Sequence, residues 1–276
     1  MIEILHEMLS FPFLRRAMLV GLMVSLCAAL LGVNLVLKRY AMIGTSLSHV
    51  GFAAMVSAMA IDVVDDLAIT MPIVILAAFL LLRLNDNSKI KGDSAVALIS
   101  TSSLAIGVII VDRTTGLNTD TCNVMFGSIL VMTRADVQLS VGLSIAVLAL
   151  FVLFYKQLFA VTYDETFAKA TGTKVEVYKS ILALLTAVTV VLGMRMMGAL
   201  LITSLTVFPA LSAMRLCKRF LTVVVVAAVI SMLCFFIGMV LSYHFEISPG
   251  ASVVAANLAV FLLFSGVAFA RQGGRI

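Results

Sequence analysis

The chain has 276 residues, of which 62% are hydrophobic and only 12% are charged. This composition excludes a soluble domain, because a water-exposed surface needs more polar side chains than the chain contains. Uncharged stretches such as 221–242 and 253–270 are long enough to cross about 30 Å of hydrocarbon as helices. The sequence therefore predicts an all-α fold, a polytopic transmembrane helical bundle.

The formal net charge of +5 does not indicate nucleic-acid binding, because the basic residues flank the apolar stretches and form no patch or helical stripe. The four cysteines lie far apart in apolar sequence, without the spacing of a zinc motif or a disulfide framework. We interpret them as packing residues.

Breaks at charged and turn residues divide the chain into eight or nine predicted spans within a single domain, residues 1–276. The spans lie near residues 14–37, 43–61, 67–83, 95–111, 136–155, 177–194, 197–215, 220–242 and 251–270. A further apolar piece, residues 121–133, is too short to cross the membrane and is predicted to be re-entrant or to lie at the surface.

The distribution of Lys and Arg predicts the orientation, since basic residues accumulate on the cytoplasmic side. Most of the nineteen basic residues fall on one side of the predicted spans, among them Lys38, Arg39, Lys174, Lys218 and Arg219. The sequence therefore predicts an external N-terminus and a cytoplasmic C-terminus, although Arg15 and Arg16 favour an internal N-terminus.

His49 is the histidine that falls within a predicted span, in a segment rich in small residues. Thr45 lies four residues earlier and therefore shares its helix face, while Gly44, Ser48 and Gly51 permit a close approach of helices. We expect this face, with Thr45, Ser48 and His49, to line a pathway. The alternative is that His49 only donates a hydrogen bond within the bundle.

The loop 163–172 on the basic side carries helix signals at both ends. Asp164 and Glu165 suit a helix N-terminus, and Gly172 suits a C-cap. We predict a short helix whose Phe167 and Ala168 form a compact surface for a partner protein, the alternative being an ordinary amphipathic connector.

Hydroxyl residues and a proline occupy the centre of the span near 197–215. Thr203 and Ser204 can line a pathway or satisfy the backbone groups that Pro209 leaves free. A kinked packing helix is the alternative interpretation.

Five segments in this order resemble the permease subunits of zinc/manganese-type metal-ion ABC transporters over nearly the whole chain. They are GTSLSHVGFAA at 44–54, MFGSIL at 125–130, YDETFAKATG at 163–172, MGALLITSLTVFPALSA at 197–213 and SPGASVV at 248–254. The resemblance implies the architecture of the vitamin-B12 and metal importers and a location in the bacterial cytoplasmic (inner) membrane.

The resemblance also implies the partners: a second permease copy in a homodimer, a dimer of cytoplasmic ATP-binding subunits and an external metal-binding protein. The ATPase would contact the coupling helix near 163–172, through Asp164, Glu165, Phe167, Ala168 and Gly172. The transported substrate would be a divalent ion of zinc, manganese or iron, with no permanently bound cofactor. The chain contains no GxxxxGK[ST] motif, so we expect it not to be an enzyme itself.

In this family the helix after the first cytoplasmic turn commonly reads G-D-x-x-S-H, which places a carboxylate and an imidazole one turn apart. Gly44, Ser48 and His49 match this pattern, whereas Thr45 occupies the aspartate position. The resemblance implies that His49 is a metal ligand, but a neutral hydroxyl is a poor ligand for a divalent ion.

A non-ABC transporter or channel is the competing function. It would require an intramembrane carboxylate, an internal repeat or a selectivity loop. The sequence predicts that no Asp, Glu or Lys lies clearly inside a span and shows no convincing repeat.

Overall fold

The computed structural model describes residues 11–61, 66–87, 92–114 and 134–271. These ranges form eleven helices, nine long and two short. In chain order they are α1 (Pro12–Leu37), α2 (Ala41–Ala60), α3 (Asp66–Asn87), α4 (Gly92–Arg113), α5 (Arg134–Leu153), α6 (Tyr155–Tyr163), α7 (Glu165–Ala170), α8 (Val175–Met197), α9 (Ala199–Leu216), α10 (Phe220–Phe245) and α11 (Pro249–Arg271).

The long helices confirm the predicted transmembrane bundle. Within the described ranges, eight of them are long and apolar enough to cross a membrane, and α3 contributes a shorter apolar stretch, Ile69–Leu84. The predicted re-entrant or surface segment 121–133 lies outside the described residues.

Helix α1 forms the centre of the bundle and packs against α8, α9 and α10. Its residues Val20, Val24 and Ala28 are completely buried. A polar contact fixes one of these neighbours, because the Ser231 hydroxyl of α10 donates a hydrogen bond of 2.9 Å to the Ser25 carbonyl. The peripheral helices α4, α5 and α11 are much less buried and present apolar side chains outward, as a lipid environment requires.

The turn between α1 and α2 is a tight, internally hydrogen-bonded connection. Arg39 has a φ of 61°, and the N–H groups of Arg39 and Tyr40 donate to the carbonyls of Val36 and Leu35 at 3.1 and 2.7 Å. This pattern is a Schellman motif with arginine at the left-handed position, where glycine is usual. The motif sets a fixed geometry between the end of α1 and the start of α2.

Several helices approach each other so closely that only glycine fits at the contact. A Cβ on Gly32 would collide with the Thr206 carbonyl of α9. On α10, a Cβ on Gly238 would stand 2.5 Å from the Cα of Val253 in α11.

Helix α9 itself continues through Pro209 to Leu216, which confirms that the proline is accommodated within a helix.

Charged groups pair at two separate places along the helices. Arg195 of α8 lies 3.2 Å from Asp136 at the start of α5. Toward the other end of α8, Lys179 lies 2.8 Å from Glu165. Lys179 occupies the second turn of α8, near the end of this span, and is buried. The pairing with Glu165 explains how its charge is tolerated.

We expect Gly238→Ala to destabilise the protein by about 1–3 kcal/mol, because the added methyl group meets the backbone of α11 and cannot be accommodated by a side-chain rotation. Thermal unfolding in detergent, followed by a thiol-reactive dye that detects exposure of the buried Cys27 and Cys234, measures the effect.

Gly266→Ala is the matched control, since a Cβ on Gly266 has no neighbouring atom within 4 Å. Alanine should leave stability unchanged there or raise it by up to about 1 kcal/mol. Equal unfolding temperatures for the two variants would contradict the close contact between α10 and α11.

Candidate functional site

A cavity of about 230 Å³ lies between α2, α4 and α9. It is lined by three of the residues that the sequence analysis predicts to face a pathway, Thr45 and His49 of α2 and Thr203 of α9. The remaining lining residues are Phe52, Leu104, Ala199 and Leu200. The cavity is therefore mostly apolar, with one imidazole and two hydroxyl groups as its polar side chains.

Ser100 of α4 holds the His49 ring from one side. The Nδ1 atom of His49 lies 2.7 Å from the Ser100 hydroxyl oxygen. When Nδ1–H donates to this oxygen, the lone pair of Nε2 remains available to a ligand. A hydrogen bond to the second nitrogen is how metal-binding imidazoles are commonly oriented.

Two of the predicted pathway residues, Ser48 and Ser204, do not line this cavity. Both are buried, and their hydroxyls donate to carbonyls of their own helices, Gly44 at 3.0 Å and Leu201 at 2.8 Å. They satisfy backbone groups within the bundle. Whether Thr45, His49 and Thr203 line a transport pathway stays a prediction.

Ser100 is a residue that the sequence analysis missed. The available signal is the run Ser100-Thr101-Ser102-Ser103, four hydroxyl residues in the middle of an apolar span. Such a run is unusual where the surrounding solvent is lipid.

Within the described residues, no three His, Cys, Asp or Glu side chains come together as a metal-binding group. The cavity itself offers one imidazole and two neutral hydroxyl groups, and hydroxyl groups are poor ligands for divalent ions.

The second candidate site is the short helix α7, whose ends the sequence predicts well. The Asp164 carboxylate accepts hydrogen bonds from the N–H groups of Thr166 and Phe167 at 2.9 and 3.0 Å, and therefore caps the N-terminus. Gly172 follows the C-terminus with a φ of +82°. The N–H groups of Gly172 and Thr173 donate to the carbonyls of Lys169 and Ala168, which completes a Schellman motif.

The side chains of α7 face different surroundings. Phe167 is 63% exposed and Tyr163, four residues earlier, is 80% exposed, so both present an aromatic ring outward. Ala168 is completely buried against Val161 and Val175, so it packs the helix onto the protein and is not part of an outward surface. The expectation that Phe167 and Ala168 together form the exposed surface is therefore wrong for Ala168.

Glu165 points to the bundle, where it joins two lysines. Its Oε1 lies 2.8 Å from Nζ of Lys38, and its Oε2 lies 2.8 Å from Nζ of Lys179. Burial alone would raise the pKa of Glu165, but hydrogen bonds from Lys179 and Lys38, together with their positive charges, leave the pKa below its usual value. Glu165 is thus an ionised bridge between α7 and two long helices.

Residues 10–268 match the model of the ABC 3 transport family. The chain belongs to the ABC 3 transport family. The membrane-spanning bundle is accordingly that of an ABC transporter permease, and the comparisons give no support to a non-ABC transporter or channel.

Individual relatives agree with this membership over nearly the full length. The chain is 32% identical to the high-affinity zinc uptake system membrane protein ZnuB of Haemophilus influenzae, covering 92% of this chain and 97% of that protein. It is 26% identical to the manganese transport system membrane protein MntC of Halalkalibacterium halodurans, covering 93% and 88%.

Among solved structures, a chain of PsaBC from Streptococcus pneumoniae in complex with Fab has a TM-score of 0.85. Its sequence identity to this permease is 27%, and the match covers 98% of this chain and 95% of that chain. The bundle described above is therefore a fold known for this class.

We expect Asp164→Ala to loosen α7, because the N–H groups of Thr166 and Phe167 lose their acceptor. Hydrogen exchange at these two amides, corrected for the intrinsic rate, should become faster. Asp164→Asn should retain the protection, since asparagine caps helices as well as aspartate does.

The stabilisation of α7 by the Asp164 cap should depend on pH. Hydrogen bonds from the Thr166 hydroxyl and the Phe167 N–H lower the pKa of Asp164, so its stabilisation is present above the ordinary aspartate pKa and is lost as the pH falls through the lowered value. In Asp164→Asn this pH-dependent loss should be absent. An identical acid response in both proteins would rule out Asp164 as its source.

Proposed function

We propose that this permease imports a divalent transition-metal ion across the bacterial cytoplasmic membrane, powered by ATP hydrolysis in separate subunits. The observation that carries the proposal is the position of His49, a half-buried imidazole that faces the cavity between α2, α4 and α9 of an ABC 3 family member. An imidazole in such a place is a suitable transient ligand for a transition metal.

The relatives support the substrate class. One is named for zinc uptake and another for manganese transport, and both align with more than nine-tenths of this chain. As a member of this binding-protein-dependent class, the permease would act with an external metal-binding protein, a dimer of ATP-binding subunits and a second copy of itself.

The donor chemistry favours zinc or iron over manganese. Thr45 contributes a neutral hydroxyl where a carboxylate is usual, and carboxylates are the ligands that manganese prefers. Two His49 side chains, one from each copy of a homodimer, would supply nitrogen ligands, which suit zinc and iron. The ion would be held briefly during passage.

The surface formed by Tyr163 and Phe167 suits the contact with the ATP-binding subunit. Both rings are exposed at one end of the bundle, next to a helix that is capped at both ends and therefore has a defined shape. Exposed aromatic side chains on a rigid element are typical anchors of protein interfaces.

His49→Ala should reduce metal uptake at least about tenfold, because the cavity loses its nitrogen donor. Loss of a residue that only orients a metal ligand already lowers metal affinity or activity by about tenfold or more, and loss of the ligand itself should be at least as severe. Uptake of radioactive zinc and manganese by cells that express the complete transporter measures the effect. Ser48→Ala is the matched control: Ser48 lies next to His49 on α2 but is buried away from the cavity.

Thr45→Asp supplies a charged oxygen one turn from the imidazole and should strengthen metal binding, most of all for manganese. If His49→Ala and Ser48→Ala transport equally well and Thr45→Asp does not alter binding, the pathway lies elsewhere.

Phe167→Ala should weaken association with the ATP-binding subunit by about tenfold or more, the effect of removing a central aromatic anchor. Co-purification and titration of the detergent-solubilised permease with the ATPase measure the change.

Phe245→Ala serves as the control, because Phe245 is similarly exposed at 60%. Phe245 ends α10, whereas Phe220, at the opposite end of this helix, contacts Phe159 of α6, the helix that precedes α7. Equal affinity of both variants would exclude the Tyr163–Phe167 surface from the interface.

A further inference from the structure

The segment around α7 is joined to the end of α1 by two polar contacts one helical turn apart. The Thr162 hydroxyl donates to Oδ1 of Asn34 at 3.0 Å, and Lys38 donates to Glu165 at 2.8 Å. Asn34 is completely buried, and the Lys38 side chain is only 5% exposed. The residues in each pair are more than a hundred positions apart in sequence, so these contacts are tertiary connections.

Each lysine that binds Glu165 belongs to an element that leads to the cavity. Lys38 lies in the Schellman turn that begins α2, the helix of Thr45 and His49. Lys179 lies on α8, which continues through the single residue Gly198 into α9, the helix of Thr203. The two oxygens of Glu165 therefore contact the turn that precedes α2 and the helix that precedes α9, and α2 and α9 line the cavity.

We propose that Glu165 is the positioning residue that transmits movement of α7 to both walls of the cavity, through Lys38 to α2 and through Lys179 to α8 and α9. This inference rests on the proposed function, in which the ATP-binding subunit moves α7. Glu165 is thereby distinct in role from Phe167, which contacts the ATPase.

In the described part of the chain, the main packing contacts of α7 are with elements other than α1. The backbone of α7 packs on its chain neighbours α6 and α8, and Ala168 contacts Val161 and Val175 of the same two helices. By contrast, charge-assisted hydrogen bonds have a fixed direction and are stronger than neutral ones. The space beside the lysines is lined mainly by Leu35, Ile43, Ala78, Leu82, Leu182 and Ala183. Such apolar surroundings screen the lysine charges weakly, which strengthens their attraction to Glu165, whose own side chain is 36% exposed.

The test is Glu165→Gln in the complete transporter, reconstituted with its ATP-binding subunit in proteoliposomes. We expect the variant to bind the ATPase and hydrolyse ATP at nearly the wild-type rate, while metal uptake per ATP falls about tenfold, within the usual range of coupling between distant sites. Glu176→Gln is the matched control, because Glu176 is an exposed carboxylate on the first turn of α8 and should leave uptake per ATP unchanged.

A second variant separates transmission from stability, since Glu165→Gln removes the carboxylate charge that lies 2.8 Å from each of two buried lysines. Replacing all three charges in Lys38→Met, Glu165→Leu and Lys179→Met combined removes that cost, as apolar replacement of buried ion pairs is often neutral or stabilising. We expect this variant to unfold at the wild-type temperature or above but to transport as poorly as Glu165→Gln.

Three outcomes would overturn the inference: wild-type uptake per ATP in Glu165→Gln, recovery of uptake together with stability in the triple variant, or a loss of ATPase binding in Glu165→Gln as large as that in Phe167→Ala. The failure of the proposed function looks different, because the wild-type permease would then neither bind the ATPase nor transport metal.

Discussion

The placement of charge constrains this structure more than any other factor, because lipid offers no partner to an ionised group. Among the described residues, ion pairs occur near the ends of the helices, with Arg195 next to Asp136 at one end of α8 and Lys179 next to Glu165 near the other. Lys179, in the second turn of α8, is buried, and Oε2 of Glu165 on α7 lies 2.8 Å from its Nζ. The pairing of Glu165 with Lys179 and with Lys38, two buried lysines, therefore holds α7 against the bundle.

The long helices could be predicted from the sequence because their signal is simple. A span needs only a sufficient run of apolar residues, and every predicted span reappears as a helix with boundaries shifted by a few residues. The ends of α7 could also be predicted, since Asp164 and Gly172 act through local backbone hydrogen bonds. These features require no knowledge of distant parts of the chain.

Side-chain directions were less predictable, and the reason differs between the two sites. Helix α7 has only six residues, too few for a periodic pattern to show that Ala168 faces inward and Phe167 outward. The pairing of Glu165 with Lys38 is a tertiary contact that no local pattern encodes.

For the cavity, the helical spacing of the sequence indicates which residues of α2 and α9 face it, but not which residue of α4 contacts His49. Thr45, His49 and Phe52 follow the four- and three-residue spacing of one helix stripe, and Ser48 falls off that stripe by one position. Ala199, Leu200 and Thr203 form the corresponding stripe of α9, which leaves Ser204 on the buried side. The partner of His49, Ser100, belongs to a third helix and depends on the packing of α4 against α2.

The two connections from Glu165 to the cavity differ in stiffness, and this difference affects what movement of α7 can do. The route through Lys38 is short, because His49 follows the start of α2 by about two helical turns, or roughly 12 Å, and a helix of this length moves as a rigid body. The route through Lys179 runs the length of α8 and reverses direction at Gly198, whose φ of +85° is a backbone conformation that few other residues adopt. A displacement of α7 would therefore reach the His49 wall directly and the Thr203 wall through a turn. The two walls would then move relative to each other, and such relative movement changes the width of the cavity between them.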